Sequence, residues 1–235
     1  MTLEQQLTDG FASLGLTIDD TAKANYRVYF EYLEEINRVM NLTAISGEDD
    51  VARLHFLDCV QLLKYADFPG KRVIDVGTGA GFPGLPVKIA CPDIKLTLLD
   101  SLDKRINFLR ETCEKLGFED TVCIHARAEE APKAYRGSFD IALSRAVARL
   151  NLLCELCLPL VKVGGVFMAM KGPDCEEELN EAKKGIAALG GRVEAVHSYT
   201  VPLTDVTHSV IVIRKEKETP ARFPRRWAQI KKQPL

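Results

Sequence analysis

The chain has 235 residues, of which 46% are hydrophobic and 27% are charged. This is enough apolar sequence for one large domain with a modest extension. No apolar run approaches the length that crosses a bilayer, and the amino terminus lacks the basic segment and apolar core of a secretory signal. The seven cysteines are an odd number and are scattered along the chain, so we expect a cytoplasmic protein with reduced thiols.

One cysteine pair, Cys154 and Cys157, has the C-x-x-C spacing of metal and redox sites. It lies within an apolar run of helical character, and no second cysteine or histidine pair stands at zinc spacing. We therefore expect no metal, and we interpret both thiols as core residues.

Residues 1–68 are predicted to form a helical segment that packs on the rest of the chain. Apolar side chains from Tyr26 to Val39 recur on one face of a long helix that begins near Thr17. The acidic residues after Ser46 provide a capping start for a second helix, which extends to Leu63.

From residue 69 to residue 216 the pattern alternates between strand and helix. This alternation predicts the doubly wound α/β class, a mainly parallel sheet with helices on both faces. Two final strands follow each other without a helix, which predicts an antiparallel addition at one edge of a seven-stranded sheet. The strands are predicted over residues 72–76, 95–100, 122–126, 139–144, 165–170, 193–201 and 209–213, and the helices over residues 85–90, 104–116, 150–161 and 176–189.

The loop after the first of these strands, within Val73–Gly84, predicts a ligand site. Gly77, Gly79 and Gly81 stand at alternate positions, where they let the backbone turn sharply and present bare N–H groups to a ligand. Asp100 ends the next strand 21 residues after Gly79, a spacing at which a carboxylate can bind ribose hydroxyls. The loop therefore favours a ligand with an adenosine end.

Two classes of adenosine ligand fit this loop. The residues from Gly79 to Gly84 match the G-x-G-x-x-G pattern of dinucleotide sites, so an NAD-dependent oxidoreductase is one alternative. However, Pro83 removes a backbone donor that a pyrophosphate would need, and Asp75 would repel a diphosphate and attract a cation. S-adenosylmethionine carries a sulfonium and an ammonium group, so it is the favoured cofactor.

Other residues at the carboxyl ends of the strands are expected to face the same pocket, because ligands of such sheets bind there. Ala128 and Glu129 follow the third strand, where the adenine is expected. Arg145 and Lys171 end the fourth and fifth strands and supply cations for a carboxylate of the cofactor or a phosphate of the substrate. Phe82 is expected either as a stacking wall for a base or as a core residue beside the loop.

Residues 217–235 form a basic tail. From Arg214 onward the chain carries eight basic residues against two acidic ones, a charge of +6 in a chain whose total is −2. Phe223 and Trp227 are interleaved with these cations, a composition that suits phosphate contact and base stacking. A non-catalytic RNA-binding factor is therefore a second alternative. The predicted RNA-binding residues are Lys171, Arg222, Arg225 and Arg226.

Seven motifs along nearly the whole chain carry a family resemblance. They are Asn41–Ile45, His55–Asp58, Asp75–Pro86, Leu99–Arg105, Arg127–Glu129, Ser144–Val147 and Thr219–Arg226. Together they resemble the bacterial small-subunit ribosomal RNA guanine-N7 methyltransferases, also known as the glucose-inhibited division protein B family. The resemblance implies a class I S-adenosylmethionine-dependent methyltransferase that modifies one guanine, guanine 527, in the 530 loop of 16S ribosomal RNA. The implied partner is 16S ribosomal RNA or the small ribosomal subunit, so the second alternative becomes a non-catalytic RNA-binding ribosome-assembly factor.

The resemblance also implies cofactor contacts, and the chain departs from the family at two places. Ala126 stands where the family commonly has glycine. At Trp227 the tail continues Trp-Ala-Gln-Ile, where the family usually has a small residue and Gly-x-Pro. The implied contacts are Gly77, Phe82, Ala128, Glu129 and Arg145, in addition to Gly79 and Asp100.

The implied reaction needs no general base. Guanine N7 is an exposed acceptor that bears no proton at neutral pH, so the enzyme has mainly to hold nitrogen, methyl carbon and sulfur in line. RNA loops can present such a base unstacked. His55 and Asp58 share one helix face, and we interpret them as a hydrogen-bonded structural pair rather than as a base and its orienting carboxylate.

Overall fold

Seven strands form one sheet in the computed structural model, which describes residues 1–235. They are β1 (Arg72–Val76), β2 (Lys95–Asp100), β3 (Val122–His125), β4 (Phe139–Arg145), β5 (Val161–Lys171), β6 (Gly191–Thr200) and β7 (Thr207–Lys215). Their order across the sheet is β3-β2-β1-β4-β5-β7-β6. Strands β1 to β5 are parallel and β7 is antiparallel to both of its neighbours, so the predicted sheet is confirmed.

Helices cover both faces of this sheet. They are α1 (Leu3–Ser13), α2 (Asp20–Met40), α3 (Glu48–Asp50), α4 (Asp58–Val60), α5 (Gly84–Ala90), α6 (Asp103–Lys115), α7 (Leu150–Cys157), α8 (Glu176–Ala188) and α9 (Trp227–Lys232). Because successive strand residues point to opposite faces, Val73 joins a core cluster with α1, α2, α5 and α6, while Ile74 joins a second cluster with α7, α8 and α9. None of the helices is both long and apolar enough to span a bilayer.

The predicted long amino-terminal helix is α2. It begins where the side chain of Asp19 accepts a hydrogen bond from the Ala22 N–H at 2.7 Å, which satisfies one of the free donors of the first turn. Farther along α2, the buried Tyr26 hydroxyl donates to the Pro86 carbonyl at 2.7 Å. The amino-terminal helices therefore share one core with the sheet.

The helix predicted from Ser46 to Leu63 is a succession of short helical pieces. After α3 the chain forms a π-helix over Val51–Leu57, then α4, then a 3₁₀ turn over Gln61–Lys64. A π-helix is rare and frequently lies at a functional site. This one carries His55, whose ring it turns toward the carboxyl end of β4.

Two other boundaries differ by four residues from those predicted. The helix predicted over residues 150–161 ends at Cys157, because Pro159 has no N–H for a further helical hydrogen bond and lies in a 3₁₀ turn. The strand predicted over residues 165–170 begins earlier, at Val161. The division of the chain at residues 69 and 217 remains a prediction, since side chains pack across both points.

The two edges of the sheet are unlike each other. One edge is β3, which has only 4 residues. The other is β6, which has 10 residues that alternate between partly buried and exposed. Its register with β7 shifts at an irregularity between Val193 and Ala195.

Candidate functional site

The glycine-rich loop after β1 is anchored by the buried carboxylate of Asp75. Its Oδ2 accepts hydrogen bonds from the Thr78 hydroxyl at 2.6 Å and from the Gly84 N–H at 2.8 Å. Burial raises the pKa of this carboxyl to about 7, although both hydrogen bonds act in the opposite direction. The expectation that Asp75 attracts a cationic ligand is therefore corrected, because its side chain faces Thr78 and the start of α5.

Two glycines of this loop adopt left-handed backbone conformations beside an open space. Gly79 has a φ of +62°, and a Cβ added there would meet no atom within 4 Å. Gly77 has a φ of +72°, and a Cβ there would lie 2.5 Å from a methyl group of Val147. The loop thus needs glycine for its backbone at both positions, and at Gly77 for close approach as well.

A cavity of about 270 Å³ opens where β1 to β4 end. Four predicted cofactor residues line it, namely Gly77, Asp100, Ala128 and Glu129. Phe82, Arg145 and Gly79 do not line it, although the Gly79 N–H donates to Asp100, which does. The full lining is Val76, Gly77, Leu99, Asp100, Ser101, Arg105, Ala126, Arg127, Ala128, Glu129, Ala146, Val147, Leu156 and Trp227.

The carboxylate of Asp100 is oriented by backbone donors at this cavity. Its Oδ1 accepts from the Leu102 N–H at 2.9 Å and its Oδ2 from the Gly79 N–H at 2.9 Å. The guanidinium of Arg105 lies 3.4 Å from Oδ2. Since each carboxylate oxygen can accept two hydrogen bonds, Oδ1 retains acceptor capacity for a ligand hydroxyl.

Phe82 is buried between other rings, which supports its interpretation as a core residue. Its side chain is only 5% exposed. The ring stacks on His55 with centroids 4.0 Å apart and contacts Tyr29 with centroids 5.6 Å apart. The guanidinium of Arg145 lies 4.8 Å from the ring centroid. The Phe82 ring therefore packs against the side chains of both His55 and Arg145.

Arg145 lies between His55 and Asp58, which were predicted to bond directly to each other. It donates to His55 Nδ1 at 2.7 Å and to Asp58 Oδ2 at 3.2 Å. The predicted His55–Asp58 hydrogen bond is not formed, because Arg145 lies between their polar atoms. Burial and the Arg145 charge lower the pKa of His55 to about 2. The ring is therefore neutral, and its Nε2–H donates to the Thr43 hydroxyl at 2.8 Å.

Asp58 binds two further side chains with its other oxygen. Oδ1 accepts from the Tyr199 hydroxyl at 2.7 Å and from His208 Nδ1 at 3.0 Å. The carboxylate raises the pKa of His208. Asp58 thereby joins the π-helix region to the β6–β7 hairpin, which the sequence spacing did not indicate.

A second cavity, of about 420 Å³, lies beside this network. Lys171 lines it, with its ammonium group 2.8 Å from the Ala148 carbonyl and 2.8 Å from Glu178. The two cavities have Ala146 in common, which adopts a left-handed φ of 56°. The second cavity is lined by Ile45, Leu54, His55, Asp58, Arg145, Ala146, Met170, Lys171, Gly172, Val206 and His208.

The basic tail is attached to the sheet domain through Arg225. Its guanidinium binds both oxygens of the fully buried Glu155, at 2.9 Å and 2.6 Å. The structure thus gives Arg225 an ion-pairing role through Nε and Nη2, while its contact with RNA remains a prediction. Arg222 and Arg226 are exposed.

Comparison with known proteins shows the family. A family model described as rRNA small subunit methyltransferase G matches residues 22–207. The ribosomal RNA small subunit methyltransferase G of Clostridium perfringens (strain 13 / Type A) is 45% identical over 226 residues, 95% of each chain. That of Alkaliphilus oremlandii (strain OhILAs) is 48% identical over 240 residues and covers 100% of both chains. This chain belongs to the ribosomal RNA small subunit methyltransferase G family.

Solved structures show the same fold in more distant proteins. A SAM-dependent methyltransferase from Aquifex aeolicus has a TM-score of 0.52 at 23% identity, over 70% of this chain and 94% of the other. TYW2 from M. jannaschii in complex with AdoMet has a TM-score of 0.55 at 12% identity, over 68% of this chain and 76% of the other. These similarities show a methyltransferase fold.

Family membership decides among the alternatives. The chain is a ribosomal RNA methyltransferase, and S-adenosylmethionine is its methyl donor. The NAD-dependent oxidoreductase and the non-catalytic assembly factor are therefore both wrong. The π-helix that contains His55 and the position of Trp227 in the first cavity were not predicted, because neither follows from local periodicity.

Proposed function

We propose that this methyltransferase transfers a methyl group to N7 of guanine 527 in the 530 loop of 16S ribosomal RNA. The observation that carries the proposal is the pair of cavities that meet at Ala146. One lies at the strand ends where nucleotide ligands of such sheets bind, and the other is lined by cationic side chains. A donor and an acceptor can thus approach each other at their junction.

The first cavity fits S-adenosylmethionine. The open space at Gly79 and the free acceptor capacity of Asp100 suit the methionine and ribose portions respectively. Ala128 and Glu129 would lie beside the adenine, and Gly77 beside the loop. When bound, the cofactor supplies a methyl group on a sulfonium centre. Arg145 and Phe82, predicted as cofactor contacts, are proposed to shape the second cavity instead.

The second cavity fits a guanine that is approached at N7. Arginine and lysine are the usual donors to the O6 and N7 edge of guanine, and Arg145 and Lys171 both line this cavity. Donation to O6 would orient the ring and leave the N7 lone pair directed at the methyl group. The pKa of about 2 makes His55 a poor base, which agrees with a reaction that requires no proton transfer from N7.

The exposed cations of the tail complete the proposal. Arg222 and Arg226 would contact RNA phosphates outside the cavities, where they position the loop without reading its sequence. The partner is 16S ribosomal RNA, alone or within the small subunit. Since the substrate is ribosomal RNA, the proposed place of action is the cytoplasm.

Mapping of the methylated base tests the proposal. Purified protein is incubated with methyl-labelled S-adenosylmethionine and with small subunits, or 16S RNA, that lack the modification. Borohydride and aniline treatment then cleaves the RNA at N7-methylguanine. A single cleavage at guanine 527 is expected. Label at another base, or label in the RNA without cleavage, would overturn the assignment of base or atom.

A further inference from the structure

Trp227 is the one tryptophan of the chain, and it lies where the tail meets the first cavity. It lines that cavity together with Gly77, Asp100 and Glu129. The ring is half-buried and packs against the core cluster on the α7 and α8 face of the sheet. A tail residue therefore forms part of a cavity that is otherwise built from the ends of strands and their loops.

Buried anchors on both sides fix the position of Trp227. Phe223 and Ile230 are both buried in the same core cluster. Arg136 donates to the Phe223 carbonyl at 2.7 Å, and the Arg225 N–H donates to Glu155 at 2.8 Å. Both side chains and backbone groups thus hold the tail, and these contacts fix the position of the Trp227 ring.

The lining of the first cavity has a polar and an apolar part. The polar part comes from the end of β2, with Asp100, Ser101 and Arg105, and from the turn after β3, with Arg127 and Glu129. The apolar part is Ala126, Ala128, Leu156 and Trp227, which pack against one core cluster. An adenosine ligand has the same division, since its ribose is polar and the faces of its purine are flat and apolar.

We propose that Trp227 is an aromatic wall for the adenine of the cofactor, so that the basic tail completes the donor site. This inference rests on the proposed donor site of the first cavity. Stacking of a purine on an aromatic side chain requires only two flat faces and little rotamer entropy. Trp227 is a positioning residue here, since it contacts no atom that changes bonds.

Two readouts with S-adenosylhomocysteine as the probe test this inference. Tryptophan emission of the wild-type protein should change saturably as the probe is added. The affinity obtained from this change should equal the affinity obtained by calorimetry. Trp227→Ala should weaken the affinity about tenfold, as for loss of one base stack, and Trp227→Phe should stay within about threefold of wild type. Gln229→Ala, an exposed neighbour on α9 outside the cavity lining, serves as the matched control and should leave the affinity unchanged.

A fragment of the probe locates the contact. 5′-Methylthioadenosine lacks the amino-acid portion, so Trp227→Ala should weaken its binding by the same factor as for S-adenosylhomocysteine. If Trp227→Ala does not fold, Trp227→Leu keeps apolar volume without an aromatic face and should still weaken both ligands several-fold. Unchanged affinities in the folded variant, or no emission change in a wild-type protein that binds, overturn the role of Trp227. Absence of calorimetric binding to the wild-type protein overturns the donor site itself.

Discussion

Lys171 ends β5 with its ammonium group between the Ala148 carbonyl and Glu178, at the edge of the second cavity. The Ala148 carbonyl accepts one of its three N–H donors, so donor capacity remains for a base. Lys171→Met should lower kcat/KM for RNA methylation about tenfold, as for loss of one base contact, and should leave S-adenosylhomocysteine affinity unchanged. Initial rates and calorimetry measure the two quantities.

Lys162 provides the matched control for this substitution. It lies on β5 too, at the amino end of the strand, where it pairs with Asp140. Lys162→Met should leave both quantities unchanged. A Lys171→Met enzyme with wild-type kcat/KM would remove Lys171 from the acceptor site.

Asp75 makes the stability of the fold depend on pH. Its pKa is about 7 in the folded protein against an ordinary value of 3.8, so between these values the folded state binds the proton more tightly than the unfolded state. Stability therefore falls as pH rises from about 4 to about 7, by up to about 1.4 kcal/mol per pH unit. Asp75→Asn should flatten this part of the curve in urea unfolding measured across that range.

Substitution of an exposed carboxylate is the control for a general effect of charge on the pH dependence of stability. Asp93 lies on the surface after α5, and Asp93→Asn should retain the wild-type slope. If Asp75→Asn also retains that slope, the buried carboxyl does not titrate in this range.

At the residue scale, the sequence predicted where functional side chains stand along the strands better than which way they point. Gly77, Asp100 and Glu129 were placed at strand ends, and all three line the first cavity. Asp75 was placed in the same loop, but its orientation depends on the Thr78 hydroxyl and the Gly84 N–H. Such partners become neighbours only in the folded chain, so spacing alone could not identify them.

The glycine-rich loop leads to a prediction at the scale of a structural element. Gly79→Asp should weaken S-adenosylhomocysteine binding at least about tenfold, a loss of about 1.4 kcal/mol or more, because the new side chain enters the open space with a charge near Asp100. Calorimetry gives the affinity. The backbone cost of the left-handed conformation, about 1–2 kcal/mol, must be separated from this effect.

A substitution at Gly70 measures the backbone cost alone. Gly70 has a φ of +73° and, like Gly79, no atom within 4 Å of an added Cβ, but it precedes β1 on the side away from the cavity. Gly70→Asp should show a similar loss of stability and wild-type affinity. Equal affinities in the two variants would place the cofactor elsewhere.

Among the contacts that attach the tail, the ion pair between Arg225 and Glu155 of α7 leads to a second prediction at this scale. Arg225→Ala would leave the carboxylate of Glu155 buried without its partner, and should cost about 3 kcal/mol of unfolding free energy. Arg192→Ala removes an exposed pair with Glu216 and should cost less than about 1 kcal/mol. Urea denaturation compares the two, and equal losses would contradict a structural role for Arg225.

The elements that escaped sequence prediction are those set by distant contacts. Helical periodicity correctly predicted α2, but it does not distinguish a π-helix over Val51–Leu57 from an ordinary helix. Likewise, a tail rich in cations has the composition of an RNA-binding arm, whereas Arg225 binds a residue 70 positions earlier in the chain. The hydrophobic pattern thus specified the layers, and individual polar contacts specified the local departures.

At the scale of the whole molecule, RNA binding should depend on the cations of the tail and not on cations at the amino ends of the strands. The double variant Arg222→Ala and Arg226→Ala should reduce the slope of log affinity against log salt by about 1.4, or about 0.7 for each lost phosphate contact. Filter binding of 16S RNA over a range of salt concentrations measures this slope. S-adenosylhomocysteine affinity should not change.

The control for this experiment uses cations at the opposite end of the sheet. Arg72 and Lys95 are paired neighbours at the amino ends of β1 and β2, and both are exposed. Their double alanine variant should keep the wild-type slope. If the tail variant keeps it too, Arg222 and Arg226 are solvated and do not contact RNA.

The two edges of the sheet affect how readily folded molecules aggregate at high concentration. An open strand edge is a template on which another chain can add a strand, and this is a route to aggregation. Here β3 offers only 4 residues, and the longer β6 is interrupted by its irregularity and carries the outward charges of Arg192 and Glu194. We therefore expect both edges to disfavour the addition of a strand from a second folded copy.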